Sequence, residues 1–294
     1  MECITALGNQ YKAPAAVALG FFDGVHMGHR AVLQHVLNRE GLVPACFSFT
    51  FENGKSMLCT EEEQLSLLKQ LGIQVLFRPA AKDIFGLTPA QFVTDVLKNT
   101  FHAKFVSCGY DFTFGKNKAG DVQTLRQLCA KEGIQVQVVD NVLLDGVSVH
   151  STKIKEYLQE GDCESAKAML GYSYSFTGRV DHGRKLGRTI NFPTVNVVPD
   201  PHKLLPKYGV YAAKIEIDGQ SFDGVTNVGV KPTVQGTTPL TETHIFDLEG
   251  DLYGKTITVS LENFIRPEQK FDSILQLQNQ INADVNLAKK LLKK

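Results

Sequence analysis

Along the first 170 residues, short apolar runs alternate with longer stretches in which apolar residues return every three or four places. The runs at 15–22, 42–51, 73–77, 104–108 and 134–139 are apolar through most of their length. A strand with apolar residues on both sides is covered on both faces, as in a parallel sheet between helices. The intervening stretches carry helix punctuation. Thr60 and Glu63 are spaced as a capping box, and Pro89 follows Thr88 at a helix start. Gly41, Gly72, Gly133, Gly161 and Gly171 each follow a helical run. The pattern predicts a doubly wound, Rossmann-like α/β domain over residues 1–170.

After Gly171 the rhythm changes. Lys214–Ile217 and Gln220–Val225 flank Asp218-Gly219, a pair that favours a tight hairpin, and Thr256–Phe264 alternates in part. Short strands with tight turns predict a small antiparallel β-barrel within residues 171–294. From Asp272 onward, Ile274, Leu277, Ile281, Val285, Ala288 and Leu292 step by three or four. They predict a terminal helix whose apolar stripe covers the barrel.

Composition narrows the class. The 294 residues, 43% of them hydrophobic, suffice for two cores. The 31 basic residues balance the 31 acidic ones, which disfavours a general nucleic-acid or membrane-surface binder. No apolar run approaches the roughly 20 residues of a membrane span, and the start, MECITALGNQ, lacks the form of a secretory signal. Six cysteines lie scattered with no CxxC pair, as expected of reduced thiols in a cytoplasmic protein without a zinc site. The expected partners are small molecules, with no nucleic acid and no membrane.

Two segments carry chemistry. Leu19-Gly-Phe-Phe-Asp-Gly-Val-His-Met-Gly-His29 leaves the first long strand, turns at glycines and enters a helix near Gly28. A helix start offers free N–H groups and the positive end of its dipole, which suits phosphate. Gly20, Gly24 and Gly28 let backbone approach a nucleotide. His26 and His29, three apart, can face one side and stabilise charge growing on an α-phosphate. The alternatives are a metal pair or two core histidines.

The second segment is Gly183-Arg-Lys-Leu-Gly-Arg-Thr-Ile-Asn-Phe-Pro-Thr-Val-Asn196. Arg184, Lys185 and Arg188, bracketed by Gly183 and Gly187, make a plausible phosphate cradle. Thr194 and Asn196, two apart on an extended segment, point the same way and offer hard oxygens to Mg²⁺. The loop alone reads equally as a solvated basic turn.

Gly20–His29, Asp23 included, resembles the HxGH signature of nucleotidyltransferases in the form found in bacterial FAD synthetases. Cys108–Lys116 resembles that family's GxDFxFGK segment, which implies Asp111 near the nucleotide–flavin site and the ring of Phe114 against the flavin. A core position is the other reading of Phe114. Ser151-Thr-Lys-Ile-Lys155 resembles an S-T-x-I-R motif that meets ATP phosphates, implying contacts from Ser151, Thr152 and Lys155. Gly161–Gly171 resembles the helix joining the two modules. Gly183–Asn196 resembles the riboflavin kinase signature G-R-x-x-G-F-P-T-A-N. Asn227–Thr233 resembles its N-x-G-x-x-P-T turn, and Glu242–Asp247 its E-x-H-x-x-D strand. That resemblance makes Glu242 the general base toward the riboflavin 5′-hydroxyl and Thr194 and Asn196 the holders of ATP–Mg²⁺. The implied substrates are ATP, riboflavin and FMN. The chain departs from the family at Phe51–Gly54, where relatives carry P-H-P, and at Lys155, Asn191 and Val195. The implied activity is phosphorylation of riboflavin to FMN, then adenylylation of FMN to FAD. The alternatives are adenylylation alone, with the second module kept for flavin binding, and a silent flavin binder.

Overall fold

The computed structural model describes residues 1–7, 11–49, 56–181, 192–233, 236–248, 250 and 252–293. The chain forms two compact units. One is Met1–Lys55 with Cys59–Ser151, and the other is Ser56–Leu58 with Thr152–Lys294.

In the first unit the strands are β1 (Glu2–Ile4), β2 (Ala15–Leu19), β3 (Val43–Phe47), β4 (Val75–Phe77), β5 (Ala103–Gly109) and β6 (Gln135–Val139). They form one sheet in the order β1-β4-β3-β2-β5-β6, with every pairing parallel. Every residue of β2 is 2% exposed or less. Ala15, Val17 and Leu19 face a cluster with Phe47, Phe92 and Leu125, while Ala16 and Ala18 face a second with Val32, Leu33 and Leu68. This is the two-sided burial that the apolar runs require. Helices α1 (Met27–Leu37) and α2 (Glu61–Gln70) supply the second cluster. Two short helices follow, α3 (Ala81–Ile84) and α4 (Pro89–Gln91), the latter running on in π geometry through Phe92–Thr100. That segment and α5 (Val122–Lys131) cover the other face. Thr60 and Glu63 make the reciprocal capping box at α2, with bonds of 3.1 and 2.9 Å.

The chain lays β2, β3 and β4 outward in one direction, then crosses back to place β5 and β6 on the other side of β2. The switch point therefore lies between β2 and β5, and ligands of such sheets sit beyond the carboxyl ends of the strands there. The two segments leaving those ends are Gly20–His29 and Gly109–Lys116. The first apolar run ends as a strand at Leu19, short of the expected Phe22, because Phe22 (φ 56°), Gly24 (φ 78°) and Val25 (φ 41°) take left-handed backbone. A hairpin, β7 (Leu143–Leu144) and β8 (Val147–Ser148), closes the unit's strands.

In the second unit, β9 (Ser175–Asp181), β10 (Val195–Val197), β11 (Gly209–Ile217), β12 (Gln220–Thr233), β13 (Gly236–Ile245) and β14 (Thr256–Pro267) close into an antiparallel barrel. The order around it is β10-β13-β12-β11-β14-β9. Asp218 (φ 50°) and Gly219 (φ 80°) are both left-handed, and Ile217 pairs with Gln220, so the turn is the tight mirror-image type that suits strand twist. The terminal helix α8 (Ile274–Leu292) lies on β11, β12 and β14. Val285, Ala288 and Leu292 of the expected stripe meet Val210, Ala212, Val225 and Phe246, whereas Ile274 is 67% exposed.

Two helices lie before the barrel, α6 (Ser151–Glu160) and α7 (Cys163–Leu170). Apart from Ser151 they belong to the second compact unit. The reason is packing: α7 lies on β14, Lys167 pairs with Glu262 at 2.6 Å, and Asn263 donates to Glu164 at 2.8 Å.

Candidate active sites

Between β2 and α1 the chain makes a turn held from several sides. Ser48 Oγ donates to the Phe21 carbonyl at 2.9 Å. Gln64 Nε2 donates to the carbonyls of both Phe21 and Phe22, each at 3.0 Å. The Gly24 N–H meets Cys59 Sγ at 3.1 Å, and the Cys59 N–H reaches Asp23 Oδ1 at 3.4 Å. Ser151 Oγ donates to the Asp23 carbonyl at 3.1 Å. Left-handed backbone at Phe22 and Val25 costs free energy, and such strain persists only where surrounding bonds impose it.

His26 is the N-cap of α1 rather than part of its first turn, and its Nδ1 accepts the His29 N–H at 3.3 Å. In the neutral ring this leaves the proton on Nε2 as a donor. The two imidazoles are stacked, 3.6 Å between centroids and 17° apart in plane. Burial, and secondarily His150, lowers the His26 pKa to about 4, and burial with His26 beside it lowers that of His29 well below the usual value. At neutral pH both rings are uncharged donors. His29 Nδ1 is buried without a partner among the described residues. A Cβ on Gly28 would sit 3.2 Å from two atoms of the His26 ring and from the Val149 carbonyl oxygen, so this glycine admits the imidazole. A Cβ on Gly20 would crowd the Phe22 ring in the same way.

At the end of β5, Asp111 is exposed beside Gly109. Phe114 is 6% exposed and packs among Phe92, Phe112 and Gly120, which is the core reading of that residue. Thr152 and Lys155 lie in the second unit, where Lys155 Nζ donates to the Ser56 carbonyl at 2.7 Å.

In the barrel, successive ladder partners are Asp181 on β9, Asn196 on β10, Glu242 on β13 and Asn227 on β12. Directly opposed residues share a face of the sheet. The neighbouring row, Val180, Val197, Thr241 and Val228, is at most 3% exposed and forms the interior. Asn196 and Glu242 thus stand side by side on the opposite face, although 45 positions separate them in sequence. Asn196 is 7% exposed, and its Oδ1 has no partner among the described residues. A buried, unanswered amide oxygen on the residue paired with Glu242 is a hard-oxygen donor of the kind that fits Mg²⁺. Gly183, Arg184, Lys185, Gly187, Arg188 and Asn191 lie outside the described residues.

Several positioning groups lie outside the expected site residues, and of them His244 alone had a sequence signal, as the histidine of the E-x-H-x-x-D strand. His244 lies next but one to Glu242, and its Nδ1 is 2.9 Å from the Pro193 carbonyl while its ring meets Phe192 edge-on at 5.5 Å. It seats the Phe-Pro-Thr segment that leads to Asn196. Glu268 accepts the Asn227 amide at 2.9 Å. Cys59 and Gln64 act on the first turn from far along the chain.

The FAD synthetase family model matches residues 8–153, and the riboflavin kinase model matches residues 170–292. The chain is 36% identical to the bifunctional riboflavin kinase/FMN adenylyltransferase of Pseudomonas fluorescens over 286 residues, covering 93% of this chain and 91% of that one. With the protein of the same description from Bacillus subtilis it shares 34% over 292 residues, again 93% and 91% of the two chains. A crystal structure described as a macrolide-efflux protein from Streptococcus pneumoniae matches with a TM-score of 0.87 at 28% identity, over 96% of each chain. Among the described residues no helix is long and apolar enough to cross a membrane. The chain belongs to the bifunctional riboflavin kinase/FMN adenylyltransferase family.

Proposed function

We propose that the chain makes FAD from riboflavin in two steps, the second unit carrying the kinase step and the first the adenylyl transfer. The observation that carries the assignment is the barrel row, in which Glu242 stands opposite Asn196. In the kinase step Glu242 takes the proton from the riboflavin 5′-hydroxyl as that oxygen attacks the γ-phosphorus of ATP and ADP leaves. Thr194 and Asn196 would hold Mg²⁺, which would supply neutralisation of phosphate charge. Arg184, Lys185 and Arg188 are proposed to cradle those phosphates.

In the second step a phosphate oxygen of FMN attacks the α-phosphorus of ATP, and pyrophosphate leaves. That oxygen is already ionised at neutral pH, so the site needs positioning and charge stabilisation rather than a base. His26 and His29, neutral at the start of α1, supply N–H donors toward the α-phosphate. Asp23, Gly20 and Gly28 shape the turn beneath it, and Ser151, Thr152 and Lys155 are proposed to meet the phosphates. Asp111 is proposed at the flavin side.

The test uses two starting substrates on two variants. His29→Ala should lower FAD formation from supplied FMN roughly 100- to 1000-fold and leave FMN formation from riboflavin intact. Glu242→Gln should do the reverse, with FMN formation down roughly 100- to 10,000-fold. Chromatography of riboflavin, FMN and FAD reads both. Loss of both activities in either folded variant contradicts the division of labour, and retention contradicts the role of that residue.

A further inference from the structure

The β2–α1 turn is oriented by a buried polar relay that begins well outside the HxGH segment. Gln64, on α2, is 0% exposed and Arg78, just past β4, is 4% exposed. Arg78 Nη2 donates to Gln64 Oε1, and Arg78 Nη1 donates to Glu61 at 3.3 Å. A guanidinium has only donors, so this contact fixes which end of the Gln64 amide is oxygen. The NH₂ end must then point away from Arg78. It donates to two consecutive carbonyls, Phe21 and Phe22, at 3.0 Å each. Phe22 is the first left-handed residue of the turn, and His26 caps α1 four residues later.

Ser48, Cys59 and Ser151 also touch the turn. Gln64 spans two consecutive carbonyls and is itself oriented by a charged residue. Buried polar groups with this many satisfied bonds hold one geometry, and releasing them lets neighbouring backbone relax. Arg78 Nε has no partner among the described residues.

We propose that Gln64, oriented by Arg78, is a positioning residue for adenylyl transfer: it sets the left-handed turn that places His26 and His29. The inference rests on the reading of the HxGH turn as the adenylyl-transfer site. Gln64 does not touch substrate. Its effect is to keep the two imidazole donors where charge develops on the α-phosphate, and misplacement of about 1 Å costs roughly 100-fold in rate.

The decisive variant is Gln64→Glu in the full-length protein. The carboxylate keeps the side chain's size and strengthens its bond to Arg78, but it has no donor for either carbonyl. FAD formation from FMN should fall about 10- to 100-fold, nearly all of it in kcat, with the KM for ATP within about threefold and riboflavin phosphorylation unchanged. The C2 proton of His26 should titrate closer to 6.5 as the ring loosens, against about 4 in the parent. A merely structural residue would lower the amount of folded enzyme and leave both kcat and the ring titration alone.

Should Gln64→Glu not fold, Arg78→Met and Arg78→Lys decide. Lysine still donates to Gln64 Oε1 and should restore most of the kcat that methionine loses. Full adenylylation kcat in folded Gln64→Glu overturns the proposal, as does equal kcat in the two Arg78 variants. His29→Ala runs alongside. If it keeps activity, the site reading has failed. If it loses activity while Gln64→Glu does not, this inference alone has failed.

Discussion

The two stacked imidazoles make a prediction that needs no substrate. His26 is held near a pKa of about 4 by burial, with His150 adding to the effect, against 6.5 for a free ring. Below about pH 6.5 the unfolded chain takes up a proton that the folded ring refuses, so folding free energy falls as pH falls. The loss from this residue continues to about pH 4 and then stops. Urea titrations between pH 7 and 4.5, followed through the first unit, should show a shallower decline for His26→Gln than for the parent. Equal slopes would mean that the ring is not held neutral by its surroundings. Much of this site was legible. The glycines, the histidines and their place after a long apolar strand were all in the sequence. The stacking and the N-cap role of His26 were not, because they depend on the left-handed residues Phe22 and Val25, bulky or β-branched types that rarely adopt such backbone.

At the level of elements, the apolar runs located β2 to β6, and capping signals located α2 and α4. The edge strand β1 escaped, since its three residues are Glu, Cys and Ile and offer no run to read. In the barrel, β11 and β12 extend to 9 and 14 residues, beyond the four and six expected, because Tyr211, Ala212 and Ala213 are all buried and break the alternation. The stripe on α8 was legible, but its anchor was not. Arg266 of β14 makes a forked pair with Asp284, with bonds of 2.8 to 3.0 Å, and Asp284 is 4% exposed. In sequence Asp284 is one acid on the edge of an apolar stripe. Asp284→Ala leaves the guanidinium without its partner, which should cost about 3 kcal/mol of stability in the second unit. Replacing both partners by Leu and Met should recover most of that loss. Denaturant midpoints of the single and double variants measure the difference, and equal losses would show that the pair contributes only packing.

For the molecule as a whole, the chain forms two compact units whose composition departs from a simple cut. Ser56–Leu58 belongs to the second unit although the chain on both sides belongs to the first. The Met57 N–H donates to the His202 carbonyl at 2.7 Å, and the Leu204 N–H donates to the Met57 carbonyl at 2.8 Å. The Met57 side chain is 1% exposed. Removing such a side chain costs roughly 2 to 5 kcal/mol. Met57→Ala should therefore lower the temperature at which riboflavin phosphorylation is lost, and shift loss of FMN adenylylation much less. Equal shifts would mean that the segment serves both units alike. The consequence reaches into genetics. A lesion at codon 57 would map to the adenylyltransferase half of the gene, yet its bearer would be short of FMN and rescued by FMN rather than riboflavin.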